Sequence, residues 1–268
     1  MRVRIIEKER GMSVNLAELF ASLSQTPEAD LNFWQETFVG FYKAFAVDGR
    51  WTLYVKGVAS TLQTTAMALV LGIVLGVVVA VVRTAHDQQR PGRHNPLLGL
   101  LNLICKVYTT IIRGTPMMVQ LLIMGSVIFA SSRNHTMVGT LTLGINSGAY
   151  VAEIFRGGLM SVDPGQMEAG RSLGLNYLNT MRFIVVPQAF KNVLPALGNE
   201  FITLFKDTAL INIIGGKELV YAAKAVGTFT FDVMYPYIGI ALIYLVMVMI
   251  LTWLQNKLER RLRQSDRR

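Results

Sequence analysis

An uncharged stretch from Gly57 to Val82 constrains this chain more than any other feature of the sequence. It is longer than the roughly 20 residues with which an α-helix crosses the hydrocarbon core of a bilayer. Because backbone polar groups in that core must be hydrogen-bonded within the protein, the stretch predicts a membrane-spanning helix. Gly72 and Gly76 lie one turn apart within it. This spacing favours close approach of a second helix, although glycine is also simply tolerated in membrane helices.

The composition of the whole chain is that of an integral membrane protein. Of its 268 residues, 52% are hydrophobic and 16% are charged, against about 25% charged residues in soluble domains. We therefore predict an all-α integral membrane protein with about five spanning helices, over residues 57–82, 97–132, 136–152, 183–208 and 233–256.

Proline and glycine divide these apolar runs further. Pro116 is expected to kink the second span, and Pro187 and Pro195 to interrupt the fourth. Residues 209–231 read as short helical pieces that break at Gly215-Gly216 and at Gly227.

The net charge of +9 indicates an orientation in the membrane rather than nucleic-acid binding. The basic residues stand beside apolar runs and in the tail 257–268, as the positive-inside bias requires of cytoplasmic segments. With five spans and a cytoplasmic C-terminus, residues 1–56 lie outside and the loop 156–182 lies inside.

The N-terminal segment, residues 1–56, is predicted to contain an interfacial amphipathic helix. Six aromatic residues recur there at roughly helical spacing, and aromatic side chains favour the headgroup level of a bilayer. Translation of a purine-rich ribosome-binding site would also produce the residues Lys8-Glu9-Arg10-Gly11. We therefore expect translation to start at Met12.

A short polar helix over about 164–174 interrupts this membrane-like chain. Asp163 followed by Pro164 and Gln166 has the pattern of an N-cap with a capping box, and Gly174 is suited to end the helix. A free helix of this length is marginal in water. It is therefore expected to be held by a partner at the membrane surface, with Met167 among its apolar contacts.

The same residues resemble a signature of permease subunits of bacterial ABC importers. In that signature E-A-A is followed after three residues by G and after nine more by I-x-L-P. The matching residues here are Glu168-Ala169-Gly170, Gly174, Ile184 and Val186-Pro187. Gly170 stands in place of the second alanine and Val186 in place of leucine.

Three flanking stretches resemble the polar amino acid branch of that family, and the resemblance runs from about Gly57 to Arg261. They are Arg113-Gly114-Thr115-Pro116, residues 148–158 and residues 206–208. The resemblance implies a type I ABC importer transmembrane domain over 57–256, with a cytoplasmic coupling helix at about 164–174. It implies transport of polar L-amino acids across the bacterial inner membrane.

The resemblance also implies the partners and the source of energy. Two ATPase subunits, which carry ATP and Mg, would bind the coupling helices of two permeases, the second being a copy of this chain or a paralogue. An extracytoplasmic amino-acid-binding protein would deliver substrate to loops within 13–50 and near 231–236. The residues expected to couple to the ATPase are Glu168, Ala169, Gly170, Arg171 and Gly174.

Polar residues within the predicted spans are candidates for a substrate path. Asn146, Tyr150 and Glu153 share one helical face and, together with Glu200 and Thr203, offer groups that suit an amino acid. The further candidates are Thr115, Lys206 and Asp207. The alternative is structural, because Glu153 and Arg156 at positions i and i+3 can satisfy each other.

Other functions find less support in the sequence. Gly215-Gly216-Lys217-Glu218 lacks the spacing and hydroxyl of a phosphate-binding loop, so no ATP-hydrolysing machinery is expected in this chain. Histidines are not at ligand spacing, and the single cysteine, Cys105, excludes an internal disulfide. An ion-coupled secondary transporter that uses buried carboxylates is the alternative, although internal repeats are not evident. A membrane enzyme comes third, since no nucleophile or metal constellation is visible.

Overall fold

The computed structural model describes residues 15–27, 30–89 and 95–265, and these form helices joined by short connections. The predicted start at Met12 and the basic residues Arg90, Arg93, Arg267 and Arg268 lie outside the described residues. The α-helices in the described part are α1 (Leu16–Leu23), α2 (Phe33–Phe45), α3 (Trp51–Asp87), α4 (Pro96–Gly114), α5 (Met117–Ile123), α6 (His135–Met160), α7 (Gly165–Ser172), α8 (Tyr177–Thr180), α9 (Val186–Asp207), α10 (Leu219–Thr230) and α11 (Met234–Ser265).

The predicted spans correspond to α3, to α4 with α5, to α6, to α9 and to α11. Among the described residues, three stretches are long and apolar enough by themselves to cross a bilayer: Val47–Asp87, Pro96–Gly114 and Met234–Leu262. Helices α6 and α9, with 26 and 22 residues, have sufficient length but more polar sequences. The polarity of α6 is tolerated because other helices bury 13 of its residues, whereas only four residues of α9 are buried within the single chain.

Helices α3 and α6 form the centre of the bundle and run in the same direction. Gly72 of α3 lies against Ser147, and Gly76 against Val151. A methyl group added at Gly72 would approach the Ser147 Oγ to 2.8 Å, and one at Gly76 would approach the Val151 Cγ1 to 2.6 Å. The predicted close approach of a second helix at these two glycines is therefore confirmed.

The second span bends where Pro116 was expected to kink it. Helix α4 ends at Gly114, Thr115 has an extended backbone, and α5 begins at Met117. The Gln120 side chain stabilises the break, because its Nε2 donates to the carbonyl of Ile112 at 2.8 Å and to the Thr115 Oγ1 at 2.8 Å. Carbonyl groups left free at the end of α4 thus gain a partner inside the protein.

Two of the predicted interruptions do not occur. Helix α9 continues through Pro195, and α10 continues through Gly227 to Thr230. Helix α10 ends instead at Phe231, whose φ of 55° is left-handed. Gly227 serves packing rather than breaking, since a methyl group there would lie 3.3 Å from the carbonyl oxygen of Asp232, where the chain folds back.

The N-terminal helix α2 packs on the bundle through part of its aromatic face. Phe41 contacts the ring of Tyr235, with the centroids 5.4 Å apart, and Phe45 stacks on Tyr54 at 4.2 Å. Phe33 and Trp34, at the start of α2, remain exposed. The aromatic pattern therefore reflects tertiary packing at one end of α2 and an uncovered apolar surface at the other.

Candidate functional site

The short helix α7 begins at Gly165, one residue later than predicted, and Pro164 rather than Asp163 is its N-cap; the predicted capping box does not form. The Asp163 Oδ1 accepts a hydrogen bond from the Gly165 backbone N–H at 2.8 Å, which satisfies one free donor of the first turn. The Gln166 side chain does not turn back to the cap. Its Oε1 accepts from the Gln188 Nε2 at 3.1 Å, so a long-range partner in α9 has displaced the local one.

The C-terminal end of α7 matches the prediction for Gly174. This residue has a φ of +80°, a left-handed conformation that glycine adopts without strain. Its N–H donates to the Arg171 carbonyl at 2.9 Å, and the Leu175 N–H donates to the Gly170 carbonyl at 3.0 Å. These two bonds constitute a Schellman motif, which ends the helix sharply.

One face of α7 packs against its own chain. Gly170 is buried against Thr180, and Met167 packs on a small apolar cluster that contains Val162, Val185 and Ala189. The sequence had suggested that Met167 and Gly170 contact a partner. In the structure they hold α7 to the bundle, because a helix this short is not stable without such contacts.

The opposite face of α7 is exposed. It carries Glu168, Ala169 and Arg171, and Leu173 follows with 79% of its surface exposed. A small residue and a large apolar residue between two opposite charges form a surface suited to the groove of another protein. Of the predicted coupling residues, Glu168, Ala169, Arg171 and Gly174 are thus accessible, and Gly170 is not.

Side-chain hydrogen bonds connect the α7 region to α9. One is the bond between Gln166 and Gln188, and another joins the Asn192 Nδ2 to the Ser161 Oγ at 2.8 Å. Together with the apolar cluster, they fix α7 to the first turns of α9. Helix α7 is thus connected directly to the helix that carries Glu200.

The predicted face of α6 contacts α4 and α5. Asn146 is buried, and its Nδ2 donates to the Gln120 Oε1 at 2.9 Å. The guanidinium of Arg113 lies over the ring of Tyr150, 5.4 Å from its centroid. Each of these side chains therefore has a partner within the chain.

Glu153 lies among three arginines from three helices. Its Oε1 is 2.6 Å from the Arg83 Nη1 of α3, and its Oε2 accepts from the Arg156 Nη2 at 2.7 Å. Arg113 of α4 is farther away, at 4.0 Å from the Oε1. Glu153 therefore pairs with Arg156, as the structural alternative predicted. The sequence analysis did not predict that Arg83 and Arg113 also lie beside Glu153.

Glu200 of α9 contacts α6 on a different side from Asn146. It accepts a hydrogen bond from the Ser147 Oγ at 2.7 Å, whereas Asn146, the neighbour of Ser147, bonds to α5. Thr203 and Lys206 are exposed and Asp207 is half-buried. The exposed Thr115 donates from its hydroxyl to the Ile111 carbonyl. The expected grouping of Glu200 and Thr203 with Asn146, Tyr150 and Glu153 is therefore not formed within this chain.

The sequence contained little that pointed to these partners. Arg83 lies 70 residues before Glu153, and Ser147 lies 53 residues before Glu200. The one available signal was the cost of charge at membrane depth, which requires Glu153 and Glu200 to have partners but does not identify them.

The described residues form no evident metal site, and the cavity among them is not one that suits an amino acid. Among those residues, no group of three or more His, Cys, Asp and Glu side chains is arranged to hold a metal ion. A cavity of about 430 Å³ between α3, α6, α8 and α9 is lined mainly by apolar residues such as Val81, Phe155 and Phe190. Such a lining does not suit a zwitterionic amino acid.

Comparisons with known proteins indicate the class of molecule to which this arrangement belongs. Residues 95–264 match the family described as "Binding-protein-dependent transport system inner membrane component". The arginine transport system permease of Bacillus subtilis is 36% identical over 185 residues, which cover 63% of this chain and 84% of that protein. The glutamine transport system permease of Escherichia coli K12 is 33% identical over 168 residues, which cover 61% and 77%.

A solved structure is similar over a larger part of the chain. The crystal structure described as "an amino acid ABC transporter with histidines" is 39% identical and superimposes with a TM-score of 0.70. The match covers 78% of this chain and 94% of that chain.

Proposed function

This chain belongs to the binding-protein-dependent transport system inner membrane components, and from that membership we propose how its parts work. It is a multi-pass permease subunit of an ABC importer for amino acids, in the bacterial inner membrane. The family pairs such subunits with each other and with ATPases. The chain therefore supplies the path and the ATPase supplies the energy.

The different environments of the two faces of α7 support the proposal that α7 is the coupling helix. Its exposed face presents Glu168, Ala169 and Arg171 to a partner, and its buried face is fixed to α9 through Met167 and Gln166. A protein that grips the exposed face moves α9 with it. This is the property that a mechanical connection between an ATPase and a transport path requires.

We expect transport by alternating access between two states. ATP-driven closure of two ATPase subunits pushes the two coupling helices and turns the path outward-facing, and hydrolysis with release returns it inward-facing. Each ligand shifts the equilibrium by its difference in affinity for the two states. The second permease is a copy of this chain or a paralogue, and an extracytoplasmic binding protein delivers the amino acid.

The orientation follows from the position of α7. If a cytoplasmic ATPase binds α7, the end of the bundle that contains it faces the cytoplasm. The C-terminus of α11 then lies inside and α1 and α2 lie outside, which agrees with the basic tail 257–268, although the basic residues within 1–10 would then lie outside.

The substrate is a polar L-amino acid. Arginine and glutamine are named for relatives that are 36% and 33% identical. Candidate groups for the path are Thr203, Lys206 and Asp207, because they lie toward the end of α9 and are not fully covered in the single chain. A second permease would bring a further set of such groups to the same path.

Purification with the ATPase tests the coupling role of α7. Ala169→Asp places an unpaired charge in the centre of the exposed face, and Ser131→Asp makes the same kind of change at an exposed position in the connection between α5 and α6. We expect the first variant to lose the co-purifying ATPase and ATP-driven uptake, and the second to retain both. Retention of the ATPase and of uptake in Ala169→Asp contradicts the proposed function of α7.

A further inference from the structure

The arginines around Glu153 carry more positive charge than Glu153 can balance. Arg83, Arg113 and Arg156 each ion-pair with this one carboxylate, which leaves an excess of two positive charges. These side chains are partly buried, with exposed fractions of 22%, 45% and 37%. Charges at membrane depth persist where they find partners. The cluster therefore has the electrostatic character of an anion site.

Arg113 is the member of the cluster that makes no hydrogen bond to Glu153. Arg83 donates to Glu153 through its Nη1, and Arg156 through its Nε and Nη2, in hydrogen bonds of 2.6–2.9 Å. Arg113 comes no closer than 4.0 Å to the carboxylate, beyond hydrogen-bond range, and its guanidinium rests on the ring of Tyr150. This cation–π contact holds the guanidinium beside the ring without occupying its N–H groups.

We propose that Arg113, oriented by Tyr150 and supported by the charge of Arg83 and Arg156, binds an oxyanion, either a carboxylate or a phosphate. A guanidinium presents parallel N–H groups that match two oxygens of such a group. Glu153 sets the position of the site, because it fixes Arg83 and Arg156 beside Arg113 and reduces their mutual repulsion. Arg113 also directly precedes Gly114, at the break between α4 and α5.

Two molecules could supply the oxyanion that Arg113 binds. One is the α-carboxylate of the transported amino acid, in which case the inference deepens the proposed function by naming a group that recognises substrate. The other is the phosphate of a phospholipid, since Arg83 and Arg156 lie toward the α7 ends of α3 and α6 and anionic lipids attract basic residues at the inner surface.

The test uses the purified permease–ATPase complex with Arg113→Gln, Arg113→Lys and a matched control. Lys106→Gln is the control, because it removes one positive charge from an exposed position on the same helix. Binding of radiolabelled L-arginine and L-glutamine is measured in competition with the corresponding α-carboxamides. Binding of phosphatidylglycerol is measured by native mass spectrometry, with thermal unfolding as a check that each variant is folded.

If the oxyanion is the substrate carboxylate, Arg113→Gln weakens amino acid binding roughly tenfold to a hundredfold and abolishes discrimination against the amide. If it is a lipid phosphate, amino acid binding is unchanged and retained phosphatidylglycerol is lost. In either case Arg113→Lys gives an intermediate result, because lysine keeps the positive charge but lacks the planar pair of N–H donors of the guanidinium.

The proposal is overturned if Arg113→Gln changes neither kind of binding, if Lys106→Gln changes them equally, or if the wild-type complex binds neither probe. That outcome is distinct from failure of the proposed function. ATP-driven amino acid uptake by the wild-type complex in proteoliposomes tests the latter, and it does not depend on where the oxyanion binds.

Discussion

The contact between Gly170 and Thr180 predicts a strong interaction between these two positions. Gly170 stands where the family signature has alanine. A methyl group added there would lie 2.5 Å from the Thr180 Cγ2 and 2.8 Å from its Oγ1. Thr180 is fully buried, its branched side chain is stiff, and its hydroxyl donates to the Asn176 carbonyl at 3.0 Å. The threonine therefore has little freedom to move away.

The expected magnitudes follow from two opposing effects. Overpacking by one methyl group costs about 1–3 kcal/mol, and replacing glycine by alanine within a helix contributes about 1 kcal/mol of stabilisation. Gly170→Ala alone should therefore destabilise the docked α7 by roughly 0–2 kcal/mol. In Gly170→Ala with Thr180→Ala, the new methyl group occupies vacated space, so the two changes should couple by about 1–3 kcal/mol.

The measurement is amide hydrogen exchange of peptides that cover residues 165–175 in the purified complex, for the wild type, both single variants and the double variant. Exchange there reports local opening of α7, and a change of about 1.4 kcal/mol corresponds to a tenfold change in the opening constant. ATP-driven uptake should follow the same order. A coupling free energy below about 0.5 kcal/mol would refute the steric account of Gly170.

Two further glycines give predictions of larger effect. Gly174→Pro should leave the spans inserted but uncouple ATP turnover from uptake, because proline fixes φ near −65° and lacks the N–H that ends α7. Gly174→Asn should have a smaller effect, because asparagine tolerates a left-handed φ. Normal coupling in the proline variant would contradict the assigned role. Gly76→Val should abolish folded protein in detergent, since the valine side chain would overlap Val151. Gly99→Ala should be neutral, because a methyl group at Gly99 has nothing within 4 Å. Size-exclusion chromatography measures the yield of folded protein, and equal yields for the two variants would show that α3 and α6 do not require the close approach.

Features that depend on local backbone requirements were readable from the sequence. The left-handed end of α7 at Gly174, the break at Pro116 and the existence of the first span each follow from what neighbouring residues permit, although α3 extends beyond the predicted residues 57–82 at both ends. The same local reasoning failed at Gly227 and Pro195, where tertiary packing holds the helix through a residue that weakens it. It also failed for Gln166, whose partner in α9 replaced the capping box.

By itself, the sequence determined an all-α membrane protein with an exposed short helix, because apolar length, caps and glycine spacing act over one or two turns. Only the tertiary structure decided which polar groups meet. Glu153 and Arg156 are three residues apart and their pairing was foreseeable, whereas Arg83 is 70 residues from Glu153. A partly buried carboxylate requires a partner but is satisfied by any nearby cation, so the identity of that partner depends on how the helices pack.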